Sequence, residues 1–169
     1  MEPRTPVAFA LPPGINALFQ IKETVSLKYD ENNVFAKILR GEAPCFKLYE
    51  DEHTLAFLDI MPQLDGHTLV IPKEPAVTIY DLSDQAALAC MRTVKLLGRA
   101  LEKAMDFDGS TVFQHNGEKA GQSVPHFHFH IWPGSIFDIS VVKGHASELA
   151  DPDNLEQIAS KIRACINNR

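Results

Sequence analysis

Apolar residues along the chain fall into short dense runs and longer spaced ones, and the two kinds predict different elements. The segments Thr54-Leu55-Ala56-Phe57-Leu58-Asp59-Ile60 and His67-Thr68-Leu69-Val70-Ile71 are nearly continuous, which predicts mostly buried strands, the second stopped by Pro72. The first of these forms a hairpin with Phe46 to Glu50 across an Asp51-Glu52 turn, and Met61 to Gly66 carries turn chemistry. From Ser83 to about Asp106 the spacing changes, with Ala87, Met91, Val94, Leu97 and Leu101 on one helical stripe, which predicts the main amphipathic helix. A second stripe, Leu155, Ile158, Ile162 and Ile166, predicts a helix over Asp153 to Asn167, with Asp151 or Asp153 near its N-cap. A short helix is expected from Val34 to Arg40, preceded by the cap-type residues Asp30 to Asn33 and closed by Gly41. Ser110 to Gln114 reads as a strand, Asn116 to Gln122 as a glycine-bearing loop, and Pro125 to Trp132 as the last strand. Five short strands with a segregated long helix give an α+β class, helix on antiparallel sheet.

Composition narrows this to one domain. The chain has 169 residues, 45% of them apolar, enough for a single core. Residues 1–30 mix Pro, Gly and scattered apolar side chains without a period and are expected to be an extension, residues 31–135 the domain, and residues 136–169 a C-terminal segment with a helix. A formal charge of −6 argues against a nucleic-acid polymer as partner, because a phosphate backbone is usually met by a basic face. A small anion is not excluded. Cys45, Cys90 and Cys165 are odd in number and far apart, so neither a disulfide framework nor a thiolate metal site is expected. No apolar run has the length of a membrane span, and the Val7 to Leu11 patch is broken by Pro12 and Pro13 and lacks the charged start of a signal peptide. A cytoplasmic location fits these features.

The chemistry is concentrated in His126-Phe127-His128-Phe129-His130-Ile131. Successive side chains of an extended chain point to opposite sides, so Phe127, Phe129 and Ile131 are expected in the core and the three histidines together on the other face. A lone histidine on a strand is usually a satisfied surface or core residue; three in alternation are not accounted for that way. Histidines two apart could share a zinc ion, yet His126 and His130 would stand roughly 13 Å apart along the strand, so no metal is expected. A row of imidazoles can instead hold a phosphate, the central His128 attacking phosphorus and His126 and His130 donating to the non-bridging oxygens. A neutral imidazole is needed at the attacking position, with its tautomer fixed by a partner for the other ring nitrogen, such as a main-chain carbonyl. The segment Gly117 to Ser123 immediately upstream lets backbone approach an anion through its glycines and adds the amide of Gln122 and the hydroxyl of Ser123.

The run His126 to Trp132 resembles the signature of the histidine-triad (HIT) superfamily, three histidines alternating with apolar residues. Further blocks are similar: Asn33 to Ile38, Gly41 to Pro44, Leu55 to Pro62, Gly66 to Lys73 and Ala120 to Val124. The resemblance implies a HIT-like fold, a five-stranded antiparallel sheet with a long central helix and a short N-terminal helix. It further implies a homodimer joined into a ten-stranded sheet, a purine nucleotide (AMP or GMP type) as substrate, and no cofactor. It implies that Val34, Phe35, Ile38, Phe57 and Ile60 line the base pocket, that Asp59 accepts from the ribose hydroxyls, and that Gly121, Gln122, Ser123, His126 and His130 hold the phosphate and leaving group. His128 would carry the nucleotidyl group. His67 either supports the triad from a neighbouring strand or makes a simple buried hydrogen bond. Where the family commonly has asparagine this chain has His115, so either His115 replaces it or Asn116 acts from a shifted position. A structural zinc found in some relatives needs cysteines where this chain has Asn33 and Ala36. The implied activity is hydrolysis of AMP-type phosphoramidates, esters or dinucleoside polyphosphates through a nucleotidyl-histidine. A nucleotidyltransferase and a nucleotide-binding module with little turnover are the other classes compatible with the motif.

Overall fold

A computed structural model of the protein describes residues 28–135 and 148–167. Most of the expected 1–30 extension, and His145, lie outside these residues. Helix α1 (Val34–Leu39) begins where Asn33 Oδ1 accepts from the Ala36 amide at 2.9 Å. Strands β1 (Phe46–Glu50), β2 (Thr54–Leu58) and β3 (Thr68–Pro72) follow, then helix α2 (Asp84–Met105), strands β4 (Ser110–Gln114) and β5 (Phe129–Pro133), and helix α3 (Pro152–Asn167). Ser83 caps α2, its Oγ accepting from the Ala86 amide, and Asp106 ends it in the left-handed conformation at φ 56°. The five strands are all antiparallel, in the order β1-β2-β3-β5-β4.

Strand alternation divides the core between the two faces of this sheet. Ala56, Leu58, Val70 and Ile131 point to one side and pack with Leu97 and Leu101 of α2 and Leu155 and Ile158 of α3. Leu55, Phe57, Leu69 and Ile71 point to the other and pack under Phe35 of α1. His130 pairs with Leu69 on β3 and with Phe113 on β4, so it belongs to the α1 face. The long helices therefore hold the sheet from behind, while among the described residues the histidine face is covered by α1 and loops.

Two strands end earlier or start later than the hydrophobic pattern suggests. β2 stops at Leu58 and not at Ile60, because Asp59 Oδ1 accepts from the Met61 amide at 2.9 Å and turns the chain. The last strand begins at Phe129 and not at Pro125. In the β3–β5 register Phe127 would face Pro72, which has no N–H to give, and the Phe127 amide donates instead to the Ala76 carbonyl at 2.7 Å. His126 to His128 thus lie outside the ladder, bonded to the connection that follows β3.

Candidate active site

The predicted alternation survives this departure from the strand. Phe127 is buried against Ala76, Leu82, Ala86 and Cys90. His126, His128 and His130 are 0, 2 and 8% exposed, so their protons are set by protein partners and not by bulk water. His126 Nε2 lies 3.0 Å from the Pro72 carbonyl, which can only accept, so this nitrogen carries the hydrogen. Its Nδ1 then holds a lone pair and receives the Tyr29 hydroxyl at 2.5 Å. Burial pushes the His126 imidazole down to about 4, a shift the Pro72 carbonyl opposes and neighbouring His128 reinforces, so the ring is neutral. Both ring nitrogens are engaged, and the ring does not offer an N–H to a phosphate as the sequence reading expected.

What His126 supplies instead is its main chain. His128 Nδ1 lies 2.7 Å from the His126 carbonyl, which places the His128 hydrogen on Nδ1 and its lone pair on Nε2. That is the tautomer an attacking imidazole requires. Phe35 sets its ring edge against His128, at 5.2 Å between centroids, and against His126.

His130 is tied to a second pair. His67 Nε2 lies 2.8 Å from His130 Nδ1, and His67 Nδ1 lies 3.4 Å from an Asp59 carboxylate oxygen. The Gln63 amide also approaches His67 Nδ1, at 3.5 Å, but the charged carboxylate is the stronger partner; with the hydrogen drawn to Nδ1, His67 Nε2 accepts from His130 Nδ1–H. Asp59, His67 and His130 also carry potential metal-ligand atoms within 4.8 Å of one another. Asp59 and His130 approach opposite nitrogens of the His67 ring, so a single ion could not bind all three without breaking one of these links. Gly66 precedes His67 at φ +85°, and a Cβ there would stand 2.9 Å from Pro133 Cγ, so the turn that delivers His67 requires glycine.

Beside these histidines lies a cavity of about 390 Å³ lined by Val34, Phe35, Ile38, Phe57, Asp59, Ile60, Ser123, His128 and His130, among others. The apolar residues assigned to a base pocket and the carboxylate assigned to ribose thus border one cavity with the His128 imidazole. Other sequence-assigned residues stand back from it. Gln122 is buried, its Oε1 accepting from the Gly117 amide and its Nε2 donating to the Val77 and Val124 carbonyls, so it braces the loop. Asn116 Oδ1 accepts from the Ile79 amide at 2.9 Å. The His115 ring lies 5.7 Å from that of His130 and over Gly121, whose φ of +98° lets the loop pass beneath it. Of the two candidates for the missing asparagine, His115 is the one beside the triad. Sequence reasoning missed Tyr29, because a tyrosine ahead of a short helix carries no spacing signal for a contact with His126.

The model for the HIT domain matches residues 40–136. Protein hit of Bacillus subtilis is 43% identical over 136 residues, covering 78% of this chain and 92% of that protein. The adenosine 5′-monophosphoramidase hnt1 of Schizosaccharomyces pombe is 40% identical over 134 residues, covering 77% of this chain and 98% of its own. Among solved structures, a HIT-like protein from Bartonella henselae superposes with a TM-score of 0.74 at 39% identity, covering 82% of this chain and 99% of that one.

Proposed function

Because the chain belongs to the HIT-domain family, we propose that it is a purine-nucleotide hydrolase acting at the α-phosphate of AMP-type phosphoramidates, esters or dinucleoside polyphosphates. The observation that carries this reading is the His128 tautomer: Nδ1–H on the His126 carbonyl, and the lone pair on Nε2. The name of the fission-yeast relative, an adenosine 5′-monophosphoramidase, supports a phosphoramidate as the substrate class.

In the first step the His128 Nε2 lone pair forms a bond to phosphorus while the bond from phosphorus to the leaving nitrogen or oxygen breaks. The leaving group takes a proton from Nε2 of protonated His130, whose other nitrogen is held by His67, with Asp59 placed to offset the positive charge. In the second step water attacks the nucleotidyl-His128, neutral His130 accepts its proton, and the nucleoside monophosphate departs with His128 restored. Val34, Phe35, Ile38, Phe57 and Ile60 enclose the base, and Asp59 accepts from the ribose hydroxyls. Ser123 and His115 remain as polar contacts for the phosphate and leaving group, with Gly121 and Gln122 shaping the loop. The same reading makes the protein a homodimer, paired through the edge strand β4.

The test is intact-protein mass spectrometry after brief mixing with adenosine 5′-monophosphoramidate. A transient gain of one AMP unit supports the reading. No adduct and no turnover over a panel of adenylates and dinucleoside polyphosphates would favour a nucleotide-binding module instead.

A further inference from the structure

Tyr29 lies before the start of the HIT-domain match at residue 40, yet its hydroxyl reaches the first histidine of the triad. Its ring stands edge-on to His126 at 5.5 Å between centroids, and Tyr29 itself is half-buried. His126 is therefore held at both ends, by Pro72 on one nitrogen and Tyr29 on the other, and its main-chain carbonyl holds His128. Among the described residues Tyr29 is the side chain that donates to His126 Nδ1, so removing the hydroxyl leaves an unpaired lone pair on a fully buried ring.

We propose that Tyr29 is a positioning residue for the His128 nucleophile, keeping His126 in its Nε2–H form and the His126 carbonyl on His128 Nδ1. The role rests on the reading of His128 given above. Loss of the hydroxyl leaves the His126 lone pair buried and unpaired, and the ring relieves it by turning toward other partners, which gives up the Pro72 link and with it the single Nε2–H form. The carbonyl then loses its fixed position, and the His128 tautomer loses its anchor. Small displacements of a reacting group are costly, so the effect falls on the chemical step more than on nucleotide binding.

The test uses the full chain and Tyr29→Phe, which keeps the ring and removes only the hydroxyl. Nitrogen-15 NMR of the resting protein is expected to show Nε2–H for His126 and Nδ1–H for His128, and in Tyr29→Phe a loss of the single His126 form. With adenosine 5′-monophosphoramidate, kcat is expected to fall about three- to tenfold with KM changed by less than about twofold, the size of one net hydrogen bond. An Nδ1–H form of His126 in the wild type overturns the proposal without any variant, so it remains open to refutation if Tyr29→Phe fails to fold. A folded variant with unchanged tautomers, or with changed tautomers and unchanged kcat, overturns it as well. Absence of turnover in the wild type would count against the reading of His128, while the tautomer measurement would still decide the placement of Tyr29.

Discussion

At the scale of the residue, His126 makes a prediction that is separate from catalysis. An unfolded chain protonates histidine near its ordinary value of about 6.5, whereas burial holds folded His126 down to about 4. The unfolded state then binds more protons between these values, so stability is complete above about pH 6.5 and falls as the pH drops toward 4, by a total of about 3 kcal/mol from this group. The check is the urea midpoint of wild type and His126→Asn at about pH 7.5 and about pH 4.5, where the gap between the two proteins is expected to narrow at the lower pH. A gap that stays constant would show that His126 titrates normally. Asp59 gives the second prediction. Asp59→Ala is expected to cost on the order of 1 to 2 kcal/mol in kcat/KM, through ribose contacts in KM and through the His67 link in kcat. Unchanged steady-state constants would remove Asp59 from both roles. The residue types were legible in the sequence because the alternation from His126 to Ile131 is independent of strand pairing. The inward turn of Gln122 and the reach of Tyr29 were not, since each depends on which distant carbonyl or ring nitrogen the fold brings near.

At the scale of the element, the site is a product of where strands stop. β3 ends at Pro72, which frees the Pro72 carbonyl for His126 and sends Phe127 to Ala76. β2 ends at Leu58, which turns Asp59 toward His67. These ends were the part of the fold least readable from hydrophobic pattern, because apolar residues continue past each of them: Ile60 and Met61 beyond β2, and Phe127 ahead of β5. Caps and bounds of α1 and α2 were read closely, but the first half of the α2 stripe was not: Met91 is exposed and Ala87 half-buried, while Ala86, Ala89, Cys90 and Thr93 face the core. Gly66 tests this scale. Its left-handed backbone and the nearness of Pro133 make Gly66→Ala destabilising by about 1 to 2 kcal/mol, seen as a lowered Tm, with kcat lowered as well because His67 shifts. A variant as stable and as active as wild type would contradict the account of that turn.

At the scale of the whole molecule, the sheet places α2 and α3 behind and the histidine face in front, and β4 forms the edge beside β5. Val112 on that edge strand is exposed, which fits pairing with a second copy. Light scattering is expected to give twice the chain mass of 18.8 kDa, and a monomer at working concentration would remove the ten-stranded sheet from the account. No helix among the described residues is long and apolar enough to cross a membrane. The proposed steps call on imidazole and carboxylate groups, so activity is expected to survive EDTA; a loss restored by zinc would point to an ion at Asp59, His67 and His130. The central claim is that His128 becomes covalently nucleotidylated, and the measurement that meets it directly is the mass of the intact protein during turnover of adenosine 5′-monophosphoramidate, for wild type beside His128→Ala. The account predicts a transient gain of one AMP unit on wild type, none on His128→Ala, and nucleotide affinity in the variant within about tenfold of wild type. Turnover without any adduct under rapid quench, or the same adduct on His128→Ala, would contradict it.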